Sequence, residues 1–265
     1  MPIQVGNFRK FWDFYKVSFL QSSVLYKFSL SRQHDIFDTT KFITDPWRGD
    51  SHVGKAILDD NTFAEGKVAD GQHDIFQSEN SYMATFAWIR DLQAIGGNNS
   101  RKYARNLVAA FIRAYRQRKN FWLNDDFKDC GVIGERIVNW IFSYSFFASG
   151  VSDKFQKEVL SSISEQSSHL LKCYKAEFNM YRRLMALKAI LLYFCVMKKS
   201  EFRKIKKIVE EINNIVTMYV DNQGIFRGRC PINHFHIFRS LLEIRFMTKI
   251  LDVNYLSNTF GDILS

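Results

Sequence analysis

The stretch FNMYRRLMALKAILLYFCVM, residues 178–197, decides the fold class of this chain. Polar residues open it and an almost unbroken apolar run follows, which predicts a helix that packs in a core and presents polar residues at its start. It lies in a segment without proline between Pro46 and Pro231, so no proline ring interrupts a helix there. A sandwich or barrel would need a turn signal every ~8–12 residues. We therefore predict an all-α protein.

Apolar residues at helical spacing predict further helices on both sides of this stretch. Gly96-Gly97 and Gly150 end two of them, while Ser100, Ser152 and Ser200 are suited to cap the starts of others. The connections are short, which makes sequential helices antiparallel neighbours. Helix hairpins of this kind build bundles, solenoids or (α/α) toroids, and the lack of a fixed repeat period disfavours a solenoid. The predicted helices cover approximately residues 8–30, 52–58, 79–95, 100–115, 132–148, 152–170, 178–197, 200–216 and 232–251.

Residues 1–78 differ in character from the rest of the chain. After the first helix they contain Pro46, several glycines and many Asp and His residues, which indicates an irregular, partly extended segment. We expect residues 1–78 to form a lead-in that packs on a helical part, residues 79–265, within one structural domain.

The composition limits the classes of function. A net charge of +10 suits an acidic partner, nucleic acid or a membrane surface, or it reflects basic residues that solvate helix faces. The common signatures of nucleotide-binding proteins, zinc proteases and serine hydrolases are absent, and we predict no cofactor and no metal. No cysteine pair has redox or zinc-site spacing, so we expect buried, reduced thiols. The four cysteines are Cys130, Cys173, Cys195 and Cys230.

The same features bear on location. The first twenty residues mix charges with aromatics and show no apolar core of a signal peptide. The apolar runs at 140–149 and 189–197 are shorter than the ~18 residues that cross a bilayer. We expect no membrane span and a cytoplasmic location, with the periplasm left open.

The loop DPWRGD, residues 45–50, is the first candidate binding motif. Trp47 beside Arg48 in a loop with proline and glycine suits stacking on a sugar ring or pairing with a carboxylate. The alternative is a packed loop that anchors the N-terminal segment.

Three helical motifs supply further candidates. Arg90 and Asp91 lie inside an apolar stripe and predict a buried or half-buried ion pair. Arg136, Asn139 and Trp140 share one helix face and form a plausible carbohydrate-cleft set. The alternatives are a structural salt bridge in the first case and a polar face beside a core tryptophan in the second.

Two helix starts complete the candidates. Tyr181 and Arg183 lie at the polar start of the 178–197 helix, where cleft residues are natural, although a cap and solvated arginines would give the same pattern. Arg227 and Arg229 lie on a glycine-rich turn before a helix, a natural anion site. The histidines that follow, at positions 234 and 236, do not share a helix face, so a two-histidine metal site is not expected.

Taken in order, these motifs resemble those of the heparinase II/III-like family over residues 40–250. Their order and spacing make the set more specific than any single motif. The matching segments are DPWRGD (45–50) with GKAIL (54–58), FAWIRDL (86–92) with Gly96-Gly97, Arg136 with Asn139-Trp140, and Gly224, Arg229 and Pro231 in the 223–231 loop.

The resemblance implies a fold and a reaction. The fold is an incomplete (α/α) toroid of antiparallel helix hairpins with an irregular N-terminal segment, followed in the family by a β-sandwich. The reaction is that of polysaccharide lyases, which abstract the C5 proton of a uronate and eliminate the glycosidic oxygen. The family uses an Asn for the carboxylate and Tyr and His groups for proton transfer. By position, Asn179 matches the Asn and His234 the His, whereas Asn233 replaces the Tyr.

We therefore expect the helical half of such a protein, without the β-sandwich, with at most β-elimination on an acidic polysaccharide. The alternative is a non-catalytic glycan-binding domain, or one half of a split protein whose partner chain is a separate β-sandwich. An apolar or polar-aromatic surface should then be exposed where the sandwich docks. Nucleic-acid binding through the basic helix at 101–118 is the least expected function, because no nucleic-acid motif is present.

Overall fold

A computed structural model describes residues 30, 32–59, 81–117, 129–199, 201–221, 223–228 and 230–250. The helix predicted over 8–30, the proposed cap Ser200 and the candidate Arg229 lie outside the described residues.

The described residues form ten α-helices and no β-strand, which confirms the all-α prediction. Two short 3-10 helices, at Thr39–Lys41 and Tyr174–Ala176, lie between them. The α-helices are α1 (Ser51–Asp59), α2 (Ser81–Ala84), α3 (Trp88–Ile95), α4 (Gly97–Gln117), α5 (Cys130–Phe142), α6 (Tyr144–Phe147), α7 (Asp153–Cys173), α8 (Met180–Cys195), α9 (Phe202–Tyr219) and α10 (Pro231–Ile250).

The helix α8 is the centre of the described fold. Asn179 caps it, because its side chain accepts a hydrogen bond from the backbone N–H of Arg182. Every residue from Leu184 to Cys195 is buried, as expected of a helix that is apolar on all sides. It packs most extensively against α5 and also contacts α7, α9 and α10. The quoted stretch is therefore a core helix, as its sequence predicts.

Two helices predicted as continuous are interrupted. The helix predicted over 79–95 is broken by a turn at 85–87, where Phe86 has a φ of 60°. That left-handed conformation is rare outside glycine, and here the ring is wholly buried. The helix predicted over 132–148 ends at Phe142, and α6 follows after Ser143. Side-chain periodicity continues across both breaks, which is why it does not reveal them.

Glycines allow the lead-in segment to lie directly on α3. A Cβ atom at Gly49 would overlap the carbonyl group of Arg90, and one at Gly54 would overlap that of Asp91. Further back along the chain, Asp38 N–H donates to the carbonyl of Val196 at 2.9 Å. Residues of the lead-in thus contact both α3 and the end of α8.

Gly134 plays the same part between α5 and α8. A Cβ atom there would lie 2.6 Å from the carbonyl oxygen of Met185 and 3.0 Å from the backbone nitrogen of Ala186. The two helix backbones can approach this closely only because position 134 lacks a side chain.

We expect Gly134→Ala to lower the free energy of unfolding by about 1–3 kcal/mol, since overpacking against backbone outweighs the better helix propensity of alanine. Urea denaturation measures the change. Gly131→Ala is the matched control in the same helix, where the nearest atom is the flexible Arg182 side chain at 3.1 Å. An equal or larger loss at position 131 would contradict this explanation.

Candidate functional site

Lys188 is a charged residue in the middle of the buried helix α8. Its side chain is 1% exposed, and its ammonium lies 2.7 Å from Glu135 Oε1 and 2.6 Å from Glu243 Oε2. A buried charge is tolerated only when it is paired and hydrogen-bonded. The ammonium therefore requires a carboxylate from α5 and another from α10 at this place.

Glu243 extends this arrangement to the lead-in loop. Its Oε1 atom accepts hydrogen bonds from Trp47 Nε1 at 2.8 Å and from Arg239 Nε at 3.1 Å. The Arg239 guanidinium lies 5.5 Å from the centre of the Trp47 ring, a cation–π contact. We call the five residues the Lys188 cluster: Trp47, Glu135, Lys188, Arg239 and Glu243.

The charges of the cluster stabilise one another. Burial alone would lower the pKa of Lys188, but Glu135 and Glu243 outweigh it and raise that pKa above its ordinary value. Burial alone would raise the pKa of Glu243, but Lys188 and then Arg239 outweigh it and hold that pKa below its ordinary value. Lys188 and Glu243 are therefore both ionised at neutral pH.

Tyr181 and His236 form an aromatic pair at the edge of the cluster. Their ring centres are 5.8 Å apart, and both side chains are partly exposed. Burial raises the pKa of Tyr181 to about 12, and Glu135 adds to the effect while Lys188 opposes it. The phenol thus keeps its proton at neutral pH and is suited to donate it.

The DPWRGD loop is held in place by α3. Asp45 Oδ2 lies 2.5 Å from Arg90 Nε, and this ion pair is largely buried. Asp91 accepts a hydrogen bond from the backbone N–H of Asp50 at 2.7 Å and another from the Tyr82 hydroxyl. The predicted buried ion pair is therefore present at Arg90, with Asp45 as its partner, whereas Asp91 binds the loop backbone and α2.

Arg136, Asn139 and Trp140 do share a helix face, but they lie in the core and are at most 5% exposed. Arg136 Nε donates to the carbonyl of Ala84 at 2.7 Å, and Asn139 Nδ2 donates to that of Thr85 at 2.9 Å. The turn at 85–87 releases these carbonyls from helical hydrogen bonding. The predicted carbohydrate-cleft set therefore stabilises a helix break and presents no surface to a ligand.

Trp140 completes this structural role. Its ring meets that of Phe86 edge-on, at 5.3 Å between centres, and Phe111 packs edge-on against both. The Arg136 guanidinium lies over the Phe111 ring at 4.4 Å. This aromatic group surrounds the residue with the unusual backbone conformation.

The residues matched to catalytic positions have structural partners. Asn179 caps α8, as described above, and is exposed. His234 Nδ1 accepts a hydrogen bond from the backbone N–H of Phe226 at 3.3 Å, within the loop before α10. Arg183, a predicted binding residue, also has a structural partner, since it pairs with Glu211 of α9 at 3.2 Å. None of the three belongs to the Lys188 cluster.

Among the remaining candidates, Arg48 and Arg227 are exposed. Of the predicted binding residues that the structure describes, only Trp47 and Tyr181 lie in the cluster or at its edge. Sequence reasoning missed Lys188, whose position in an apolar run was a usable signal for a paired buried charge. Arg239 and Glu243 pair with each other at i,i+4, a spacing that the sequence also shows. The contacts of Glu243 with Trp47 and Lys188 carried no such signal, because those residues are far away in sequence.

No group of three or more His, Cys, Asp or Glu residues in the described part of the chain could hold a metal ion. Across the same ranges, none of the helices combines the length and apolar character that a bilayer crossing requires.

Comparisons with known proteins add no relative. No protein-family model matches the chain, and neither the curated proteins nor the solved structures include a significant match. The resemblance to the heparinase II/III-like family therefore rests on the motifs alone.

Replacing Lys188 with methionine should lower the free energy of unfolding by about 3–5 kcal/mol, because the buried Glu243 carboxylate loses its ammonium partner. Chemical denaturation at neutral pH measures the loss. Lys204→Met is the matched control, since Lys204 pairs with Glu201 while 56% exposed and should change stability by less than about 1 kcal/mol. Similar losses for the two variants would contradict the assigned role of Lys188.

The lowered pKa of Glu243 predicts a dependence on pH. Its stabilising contribution is present above the ordinary carboxyl pKa of 4.5 and is lost as the pH falls through the lower value of the folded state. The stability gap between the wild-type protein and Glu243→Gln should therefore narrow as the pH is lowered below 4.5. Glu201→Gln is the control, because Glu201 is 27% exposed and its partner Lys204 is 56% exposed. A stability gap for Glu243→Gln that stays constant with pH would refute the assignment.

Proposed function

We propose that this chain is the toroid part of a heparinase II/III-like architecture and that it binds an acidic polysaccharide. The proposed site is the surface at Trp47, Tyr181, His236 and Arg239. The observation that carries the proposal is the pairing of Tyr181 with His236, where charges of the Lys188 cluster act on Tyr181. Tyrosine and histidine, the residue types that such a lyase uses for proton transfer, thus lie at the edge of the cluster that also holds the tryptophan of the DPWRGD motif.

The surface has the groups that carbohydrate recognition needs. Trp47 and Tyr181 are partly exposed aromatic residues, on which the apolar face of a sugar ring can stack. The Arg239 side chain is 29% exposed and carries a guanidinium, which suits a uronate carboxylate. Glu135, 25% exposed, can accept hydrogen bonds from sugar hydroxyls. The net charge of +10 favours the approach of an anionic chain.

The proposed chemistry is β-elimination. Neutralising the uronate carboxylate makes the C5 proton more acidic, and His236 takes that proton as the general base. The electron pair forms the C4–C5 double bond while the bond from C4 to the glycosidic oxygen breaks. Tyr181, protonated at neutral pH, gives its proton to the departing oxygen. This assignment puts proton transfer on Tyr181 and His236, in place of the sequence-based candidate His234.

The packing of the helices supports the proposed architecture. The pairs α7–α8 and α8–α9 pack against each other in chain order, as helix hairpins do. On α10, three large apolar side chains are exposed at one-turn spacing: Ile232 at 68%, Phe235 at 61% and Phe238 at 40%. An exposed row of this kind is suited to dock another domain or chain, here the β-sandwich of the family.

One observation favours the alternative of a non-catalytic glycan-binding domain, complete in itself or paired with a separate β-sandwich chain. Asn179 and His234, the residues matched to family positions, are engaged as a helix cap and in a turn. In this alternative the same surface binds the polysaccharide and no bond is broken.

The test is a lyase assay on a panel of acidic polysaccharides, in which unsaturated uronate ends absorb ultraviolet light. We expect wild-type activity, and Tyr181→Phe or His236→Gln should each lower kcat by about 10²-fold or more through loss of acid–base catalysis. His234→Gln, in the first turn of α10, and His52→Gln, at an exposed position of α1, should retain that activity.

Activity lost in His234→Gln but kept in His236→Gln would refute the proposed site. Absence of absorbance with every polysaccharide, while binding persists and is weakened by Arg239→Ala, would instead establish the glycan-binding alternative. Absence of both activity and binding would refute the whole proposal.

A further inference from the structure

Cys130 and Cys173 meet in the core although they are 43 positions apart in the chain. Cys130 is the first residue of α5 and Cys173 the last of α7. Their Sγ atoms are 3.1 Å apart, and the residues are 3% and 4% exposed. Two thiols at this separation need little movement to bond to each other.

The surroundings distinguish the two sulfurs. The hydrogen bond between the two sulfurs and the nearby His169 lower the pKa of Cys173, although burial opposes them. That same hydrogen bond, with burial, raises the pKa of Cys130. Cys173 is therefore suited to be the attacking sulfur and Cys130 the thiol that resolves the product.

We propose that Cys130 and Cys173 are a reversible redox site, which forms a disulfide when the protein meets a peroxide. The inference is independent of the proposed function. The structure confirms free, buried thiols at Cys130, Cys173 and Cys195, whereas Cys230 is partly exposed. The contact between Cys130 and Cys173 across two helices is invisible to motif spacing.

The reaction balances with hydrogen peroxide as the oxidant. The Cys173 thiolate attacks one peroxide oxygen, the O–O bond breaks, and the released hydroxide takes a proton to become water. Cys173 is then a sulfenic acid. Cys130 sulfur attacks the Cys173 sulfur, the S–O bond breaks, and a second water leaves with the thiol proton. Each sulfur has lost one electron and the peroxide has gained two; a dithiol reductant reverses the change.

The bond would tie α5 to α7. The helix α5 also supplies Gly134 to the close contact with α8 and Glu135 to the ion pair with Lys188. Oxidation would therefore restrict the motion of the helix that makes these two contacts. A disulfide that closes a loop of this length should raise Tm by roughly 5–15 °C, because it limits the freedom of the unfolded chain.

The experiment treats the folded, reduced protein with hydrogen peroxide below its Tm, blocks remaining thiols, and maps the peptides without reduction. We expect a cross-linked peptide that joins Cys130 to Cys173, loss of two hydrogens from the mass, a higher Tm, and reversal of all three by dithiothreitol. The wild-type map alone decides the question, so the test does not depend on any variant folding.

Two variants sharpen the result. Cys130→Ser should abolish the cross-link, whereas Cys195→Ala, at a buried cysteine of α8 outside the pair, should leave it intact. Cys230 is partly exposed and serves as an internal measure that peroxide has reacted. Oxidation of Cys230 while Cys130 and Cys173 stay free, a cross-link to Cys195 instead, or separate sulfinic acids on the pair would overturn the proposal.

Discussion

The ammonium group of Lys188 is the constraint on which the rest of the described structure depends. It sits in a helix that is buried on every side, so it must find its counter-charges within the protein. Glu135 of α5 and Glu243 of α10 provide these counter-charges. Glu243 also accepts hydrogen bonds from Trp47 and Arg239 and so holds both side chains in place. Desolvation offsets much of the Coulomb attraction in such a site, so its main effect is to specify which elements meet.

The DPWRGD motif acquires a structural explanation from the same network. Asp45 binds Arg90, the Trp47 indole donates to Glu243, Gly49 permits contact with the α3 backbone, and the backbone of Asp50 donates to Asp91. The motif on which the family resemblance partly rests thus mainly attaches the lead-in segment to α3 and α10 through these contacts. The groups proposed for chemistry, Tyr181 and His236, come from helices α8 and α10.

Periodicity and the absence of proline were sufficient for the all-α class, for the core helix α8 and for the approximate limits of most described helices. They were insufficient wherever a distant partner decides the outcome. The helix break at Phe86 depends on Arg136 and Asn139, about fifty positions later in the chain. Their side chains donate hydrogen bonds to the backbone carbonyls that the break leaves without helical partners. For the same reason, Arg136, Asn139 and Trp140, which were predicted as a carbohydrate cleft, lie in the core instead. The contact between Cys130 and Cys173 was not predicted either.

The contact between Trp47 and Glu243 spans 196 positions of the chain. Contacts between such distant residues are entropically costly to close, and they contribute to slow folding. Local helices and the α5–α8 contact can form before it, whereas the lead-in loop gains its last anchor only after α10 has docked. We therefore expect the surface around Trp47 to form late in folding, after the helical core.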